Sequence, residues 1–174
     1  MIHSISTKAH YFTVAALLFG MILFTSAWTP AAYGDSAQVS KLLQQAKTSA
    51  DQLQRDTENM ESFTRSKVGW QSHAMQINTV KEHVNKIGTV LADLHDARDG
   101  ADPWQQDAID GITPLMHQLA DHTTSIIDHL NDKKQTWHPE YREYLQTNHE
   151  LAADVSKMIS DYMNYGKARA RLHM

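Results

Sequence analysis

Apolar residues recur at alternating spacings of three and four along most of the chain, a pattern typical of helices that share one buried seam. Short breaks containing glycine or proline separate four such segments. The segments predict helices over residues 36–64, 70–98, 103–131 and 139–168. Because an average period of 3.5 favours left-handed supercoiling, the sequence predicts an all-α, up-down-up-down, left-handed four-helix bundle.

The starts of the predicted helices carry capping and aromatic residues. Asp102, Pro103 and Gln105 form a capping-box pattern with proline at the first helical position. A tryptophan lies near the start of the second, third and fourth helices, and these side chains are expected to plug the ends of the bundle. They are Trp70, Trp104 and Trp137. Pro114 falls inside the third helix and predicts a kink or, alternatively, an opening in the bundle wall.

The first 34 residues have the pattern of a secretory signal peptide. Lys8 precedes an apolar run over residues 11–28, and small residues follow up to Gly34. The sequence therefore predicts two regions, a signal peptide at 1–34 and a helical domain at 35–174, with a periplasmic or secreted product. An uncleaved membrane anchor at residues 11–28 is the alternative, because the run is at the lower length limit for a membrane span.

Composition excludes several classes of partner and site. The chain has no cysteine, so disulfides, thiolate metal sites and covalent c-type haem attachment are excluded. Its formal charge is −4, and removal of residues 1–34, which hold Lys8 and no acidic residue, leaves −5. This acidity argues against a nucleic acid partner. After signal cleavage no stable membrane insertion is expected.

No motif for catalysis is present in the sequence. The Glu-x-x-His pair of di-iron bundles, the nucleophile elbow and the phosphate-binding glycine loop are all absent. The expected function is a non-catalytic module that binds a protein or a small ligand, and the sequence specifies neither the partner nor a cofactor.

Histidine is the one chemical bias of the predicted mature chain, which holds nine of the eleven in the sequence. An antiparallel pairing of the second and third helices brings His73 level with His129 and places His83 near His122. Neutral imidazoles bind Zn, Cu and Ni, so His83, His122, His73 and His129 are the candidate metal ligands. The alternative function is thus a histidine-based carrier of a transition metal or of haem.

The histidines also predict a response to pH. Protonation of all nine would move the charge of the mature chain from −5 to roughly +4 in mildly acid medium. His73 lies on the apolar seam, where burial favours the neutral ring. We therefore expect thermal stability to fall between about pH 7 and pH 5.

Some segments resemble those of exported bacterial helical proteins of unknown function. The resemblance lies in Trp70-Gln71-Ser72-His73, in Glu82-His83-Val84-Asn85, in the segment from Pro103 to Ile109 and in Ile112-Thr113-Pro114-Leu115. It implies a bacterial envelope location and a helical fold, and no activity. The predicted topology is similar to that of small periplasmic cytochromes and receptor sensor domains, whose ligand motifs do not occur here. A membrane-anchored helical sensor or scaffold is accordingly the third candidate function.

Overall fold

The computed structural model describes residues 37–66 and 68–172, which belong to one compact unit, Tyr33–Met174. The signal peptide prediction falls on residues 1–34, outside the described residues. Four α-helices make up most of the described chain and confirm the predicted all-α class. They are α1 at Ala37–Ser62, α2 at Trp70–Asp96, α3 at Pro103–Asp132 and α4 at Pro139–Leu172. None of these helices combines the length and hydropathy that a membrane span requires.

The helix ends follow the predicted signals with small shifts. Single 3-10 turns at Phe63–Arg65 and Arg98–Gly100 follow α1 and α2, so both α-helices end two residues before the predicted positions. The start of α3 has the predicted capping box, in which the Asp102 side chain accepts from backbone N–H groups. The α3 helix continues through Pro114, which lies on its exposed side.

Each helix packs against two others, so the four helices surround one core. The α1 helix contacts α2 and α4, and α3 contacts the same two helices. The predicted seam is buried almost throughout; the two exceptions are Trp70, which is 36% exposed, and the partly buried Tyr162. Burial of this stripe on every helix is the main source of stability, since apolar surface leaves water along the whole length of the molecule.

The tryptophans differ in burial. Trp104 is 6% exposed and packs into the core, as predicted for an end plug. Trp70 and Trp137 are 36% and 68% exposed, so the prediction that these two tryptophans also plug an end of the bundle is wrong. The ammonium of Lys134 instead lies over the ring of Trp70, 5.0 Å from the ring centroid. The close approach of α4 at Gly166 encloses Trp104, whereas Trp70 and Trp137 stay at the surface.

Two polar pairs, one buried and one partly buried, join neighbouring helices. Thr123 Oγ1 donates to Asn148 Oδ1 at 3.1 Å and joins α3 to α4 within the core. Ser156 Oγ donates to Asp51 Oδ1 at 2.7 Å and joins α4 to α1. A shift of α3 along α4 would leave Thr123 and Asn148 buried without each other as partners, which disfavours other registers of this helix pair.

Candidate functional site

The first half of α3 and the second half of α4 line an open, cleft-shaped cavity of about 920 Å³. This volume is in the range of sites that hold small molecules. The side chains around it are aromatic or apolar with a charged rim. They are Pro103, Trp104, Asp107, Leu115, Asp154, Lys157, Met158, Asp161, Tyr162, Tyr165 and Arg169. We refer to it as the α3–α4 cavity.

Two glycines let the aromatic side chains of this cavity pack between the helices. A Cβ atom on Gly166 would lie 2.5 Å from Cζ2 of Trp104, so only glycine allows the indole to rest on α4. A Cβ atom on Gly111 would lie 3.2 Å from Oη of Tyr162 and 3.3 Å from Sδ of Met158. Gly111 on α3 thus faces side chains of α4, and Gly166 on α4 faces a side chain of α3.

A polar cluster anchors one end of the cavity. Asp102 is 3% exposed and caps α3, and its carboxylate also pairs with the guanidinium of Arg169 from α4. Gln105 Oε1 accepts from the backbone N–H of Asp102 at 3.0 Å, and its Nε2 donates to Ser40 Oγ of α1 at 3.0 Å. These bonds connect three helices and fix Arg169 beside the cavity.

The remaining charges of the cavity lie on its rim. Lys157 Nζ lies 2.5 Å from Oδ2 of Asp161, one turn further along α4. The hydrogen bond from the Lys157 ammonium to the Asp161 carboxylate raises the pKa of that lysine. Asp107 and Asp154 are exposed and form no hydrogen bond or ion pair within the described residues. The rim therefore has more negative than positive charge.

A second cavity of about 640 Å³ lies between α2 and α3. Its lining includes His95 and His117, together with Gly88, where an added Cβ would meet nothing within 4 Å. His95 Nε2 lies 2.9 Å from Thr113 Oγ1 across the helix pair. The lining lacks the aromatic side chains that the α3–α4 cavity has, so it offers a ligand less specific contact.

Two of the predicted histidine ligands lie on either side of one tyrosine. His73 is 1% exposed, and its Nδ1 lies 2.9 Å from Oη of Tyr141. The His129 ring stacks on Tyr141 with centroids 5.0 Å apart, and its Nε2 lies 2.9 Å from the carbonyl oxygen of Gln135. Burial lowers the pKa of His73 and raises that of the Tyr141 hydroxyl, which keeps both groups neutral near pH 7. These contacts are those of packed core residues.

The other two candidates lie at different helix interfaces. His83 Nδ1 lies 2.8 Å from Oδ2 of Asp56 on α1, although the two atoms are not aligned for a hydrogen bond. His122 follows Leu115 by two helical turns and so lies on the face of α3 that meets α4. Its Nδ1 is buried without a hydrogen-bond partner. Metal binding shared by His83 and His122 stays a prediction, and residues 37–66 and 68–172 contain no cluster of three or more potential ligands.

Sequence reasoning missed the α3–α4 cavity. It assigned Trp104 to plugging an end of the bundle and gave Tyr165, Arg169 and Gly166 no role. The available signal was the spacing of Tyr162, Tyr165 and Arg169, which places all three on one side of a helix. Comparison with known proteins identifies no relative: no protein-family model, no curated protein and no solved structure matches the chain.

Proposed function

We propose that the protein is an exported, non-catalytic binding module that holds a small ligand in the α3–α4 cavity. The observation that carries this proposal is the cavity itself, about 920 Å³ in volume and lined by Trp104, Tyr162, Tyr165, Met158 and Leu115. Sites for small molecules are concave and mainly apolar, with a few polar groups that orient the ligand. The α3–α4 cavity has each of these properties.

The proposal includes the arrangement of the helices and the location of the protein. We infer an up-down-up-down, left-handed bundle because successive helices are joined by short connections and each packs against two neighbours. The signal pattern of residues 1–34 supports export to the periplasm or the medium. Mass spectrometry of protein secreted by a bacterial host should find a mature chain that begins at Asp35.

The chemistry of the cavity supports binding rather than catalysis. Its ionisable groups are aspartates, one lysine, one arginine and two tyrosines, and its lining contains no histidine, serine or threonine. Arg169 and Lys157 are engaged with carboxylates of the protein. Such a set offers charge and aromatic surface to a ligand, without the paired nucleophile and base on which acyl transfer depends. The histidine-based carrier of a metal or haem has no comparable support among the described residues.

Binding of the neutral fluorescent probe N-phenyl-1-naphthylamine tests this function. The mature chain should bind it, and Leu115→Trp should weaken binding, because the larger side chain occupies part of the α3–α4 cavity. Ala92→Trp, which places the same side chain in the other cavity, is the matched control and should leave binding intact. Tyr165→Ala changes a side chain that is 57% exposed and should weaken binding without affecting the fold. Equal binding by the parent, Leu115→Trp and Tyr165→Ala would refute the proposal.

A further inference from the structure

The charges around the α3–α4 cavity are not balanced. Both basic side chains of the lining are paired with carboxylates, Arg169 with the buried Asp102 and Lys157 with Asp161. Asp107 on α3 and Asp154 on α4 remain as exposed carboxylates on opposite walls. With Arg169 counted as neutralised by Asp102, the lining keeps three carboxylates, Asp107, Asp154 and Asp161, against the one exposed ammonium of Lys157, a net charge of −2.

The uncharged walls of the cavity also favour a positive group. The exposed Tyr165 and the partly buried Tyr162 of α4 supply aromatic rings, and such rings attract ammonium groups at their faces. Leu115 and Met158 supply apolar surface next to these rings. A ligand with an apolar body would remove this surface from water, and a cationic group at the rim would meet both rings and carboxylates.

We propose that the α3–α4 cavity binds a small organic cation with an apolar body, such as an aryl-substituted or alkyl-substituted ammonium. This inference rests on the proposed function and adds the charge of the ligand. An anionic ligand fits the site poorly, because its partner would have to be Arg169 or Lys157, and the Lys157 ammonium lies between the carboxylates of Asp154 and Asp161 on the same helix. Taking Arg169 would break its pair with Asp102, the residue that caps α3.

Two ions of nearly equal size and shape but opposite charge distinguish these possibilities. Tetraphenylphosphonium is a cation, and tetraphenylborate is the corresponding anion. Isothermal titration of the mature chain in sodium buffer should show binding of the cation at least about tenfold tighter than binding of the anion, with an affinity that falls as salt is added. Tyr165→Ala should weaken binding of the cation, because it removes an aromatic ring from the lining of the cavity.

Removal of the two rim charges provides the second test. The double variant Asp107→Asn with Asp154→Asn should bind tetraphenylphosphonium about fivefold to tenfold more weakly, as expected for two exposed charges. The matched control is Asp93→Asn with Asp121→Asn, which removes the same charge from exposed positions outside the cavity. This control should stay within about twofold of the parent, because exposed charges are screened with distance.

The outcomes separate this inference from the proposed function. Equal affinity for the two ions, tighter binding of the anion, or equal effects of the two double variants would overturn the cation proposal. So would binding of neutral N-phenyl-1-naphthylamine without binding of tetraphenylphosphonium, although the cavity would then remain a ligand site. If neither the neutral probe nor either ion binds, the proposed function fails, and the inference fails with it.

Discussion

Replacement of Gly166 by alanine should force Trp104 out of its position between α3 and α4. The added Cβ would lie 2.5, 2.6 and 2.9 Å from Cζ2, Cη2 and Cε2 of the indole. Carbon atoms in contact normally lie about 3.5–4.0 Å apart, so the ring must retreat by roughly 1 Å. Trp104 is 6% exposed and also lines the α3–α4 cavity, so this movement disturbs the core and the ligand site together.

The expected cost follows from two opposing effects. Overpacking a core costs about 1–3 kcal/mol, whereas alanine in place of glycine inside a helix stabilises by about 1 kcal/mol. Gly166→Ala should therefore destabilise the protein by about 0–2 kcal/mol. Gly88→Ala provides the control, because its Cβ meets nothing within 4 Å and should bring the gain of about 1 kcal/mol alone. The two variants should differ by about 1–3 kcal/mol.

Urea denaturation followed by circular dichroism measures this difference in the free energy of unfolding. Combining Gly166→Ala with Trp104→Phe, which removes the ring atoms nearest to the new Cβ, should remove most of the penalty. If Gly166→Ala is as stable as Gly88→Ala, or if its penalty persists in the Trp104→Phe background, then the indole does not pack on this position and the reasoning is refuted.

Three further changes test the core. Because burial lowers the pKa of His73, the unfolded chain binds more protons; stability should fall as pH drops through about 6.5 and level off below the folded pKa. His73→Gln should reduce the dependence of the melting temperature on pH in this range. If the variant and the parent show the same dependence, His73 does not contribute to it. Tyr141→Phe removes the partner of His73 Nδ1 and should cost about 1–3 kcal/mol in urea denaturation, and no loss would contradict the hydrogen bond. Val84→Asp buries an unpaired charge and should unfold the protein by circular dichroism, whereas the exposed Asn85→Asp should not.

The helices and the buried seam could be predicted from the sequence because both depend on local spacing. Every seam position of α1, from Val39 to Met60, is buried. The capping box at Asp102 is also local and was predicted correctly. Helix ends shifted by one to four residues, because 3-10 turns and the extension of α4 to Leu172 depend on contacts with other parts of the chain.

The partners of the histidines depended on helix rotation, which the spacing alone does not define. His73 and His129 were placed at one level of the bundle, and both contact Tyr141. His83 was expected to face α3, whereas its ring lies next to Asp56 of α1. A rotation of one helix by a fraction of a turn moves a flanking side chain from one interface to the next.

The sequence by itself determined which residues form helices, where they begin and which stripe is buried, because propensity, capping and periodicity act within a few residues. Only the tertiary structure decided that α3 and α4 form an open cavity between them. That cavity depends on Gly166 meeting Trp104 and Gly111 meeting Tyr162, pairs of residues far apart in the chain. The close approach of two backbones and the direction of each aromatic ring are set by packing, which no local pattern encodes.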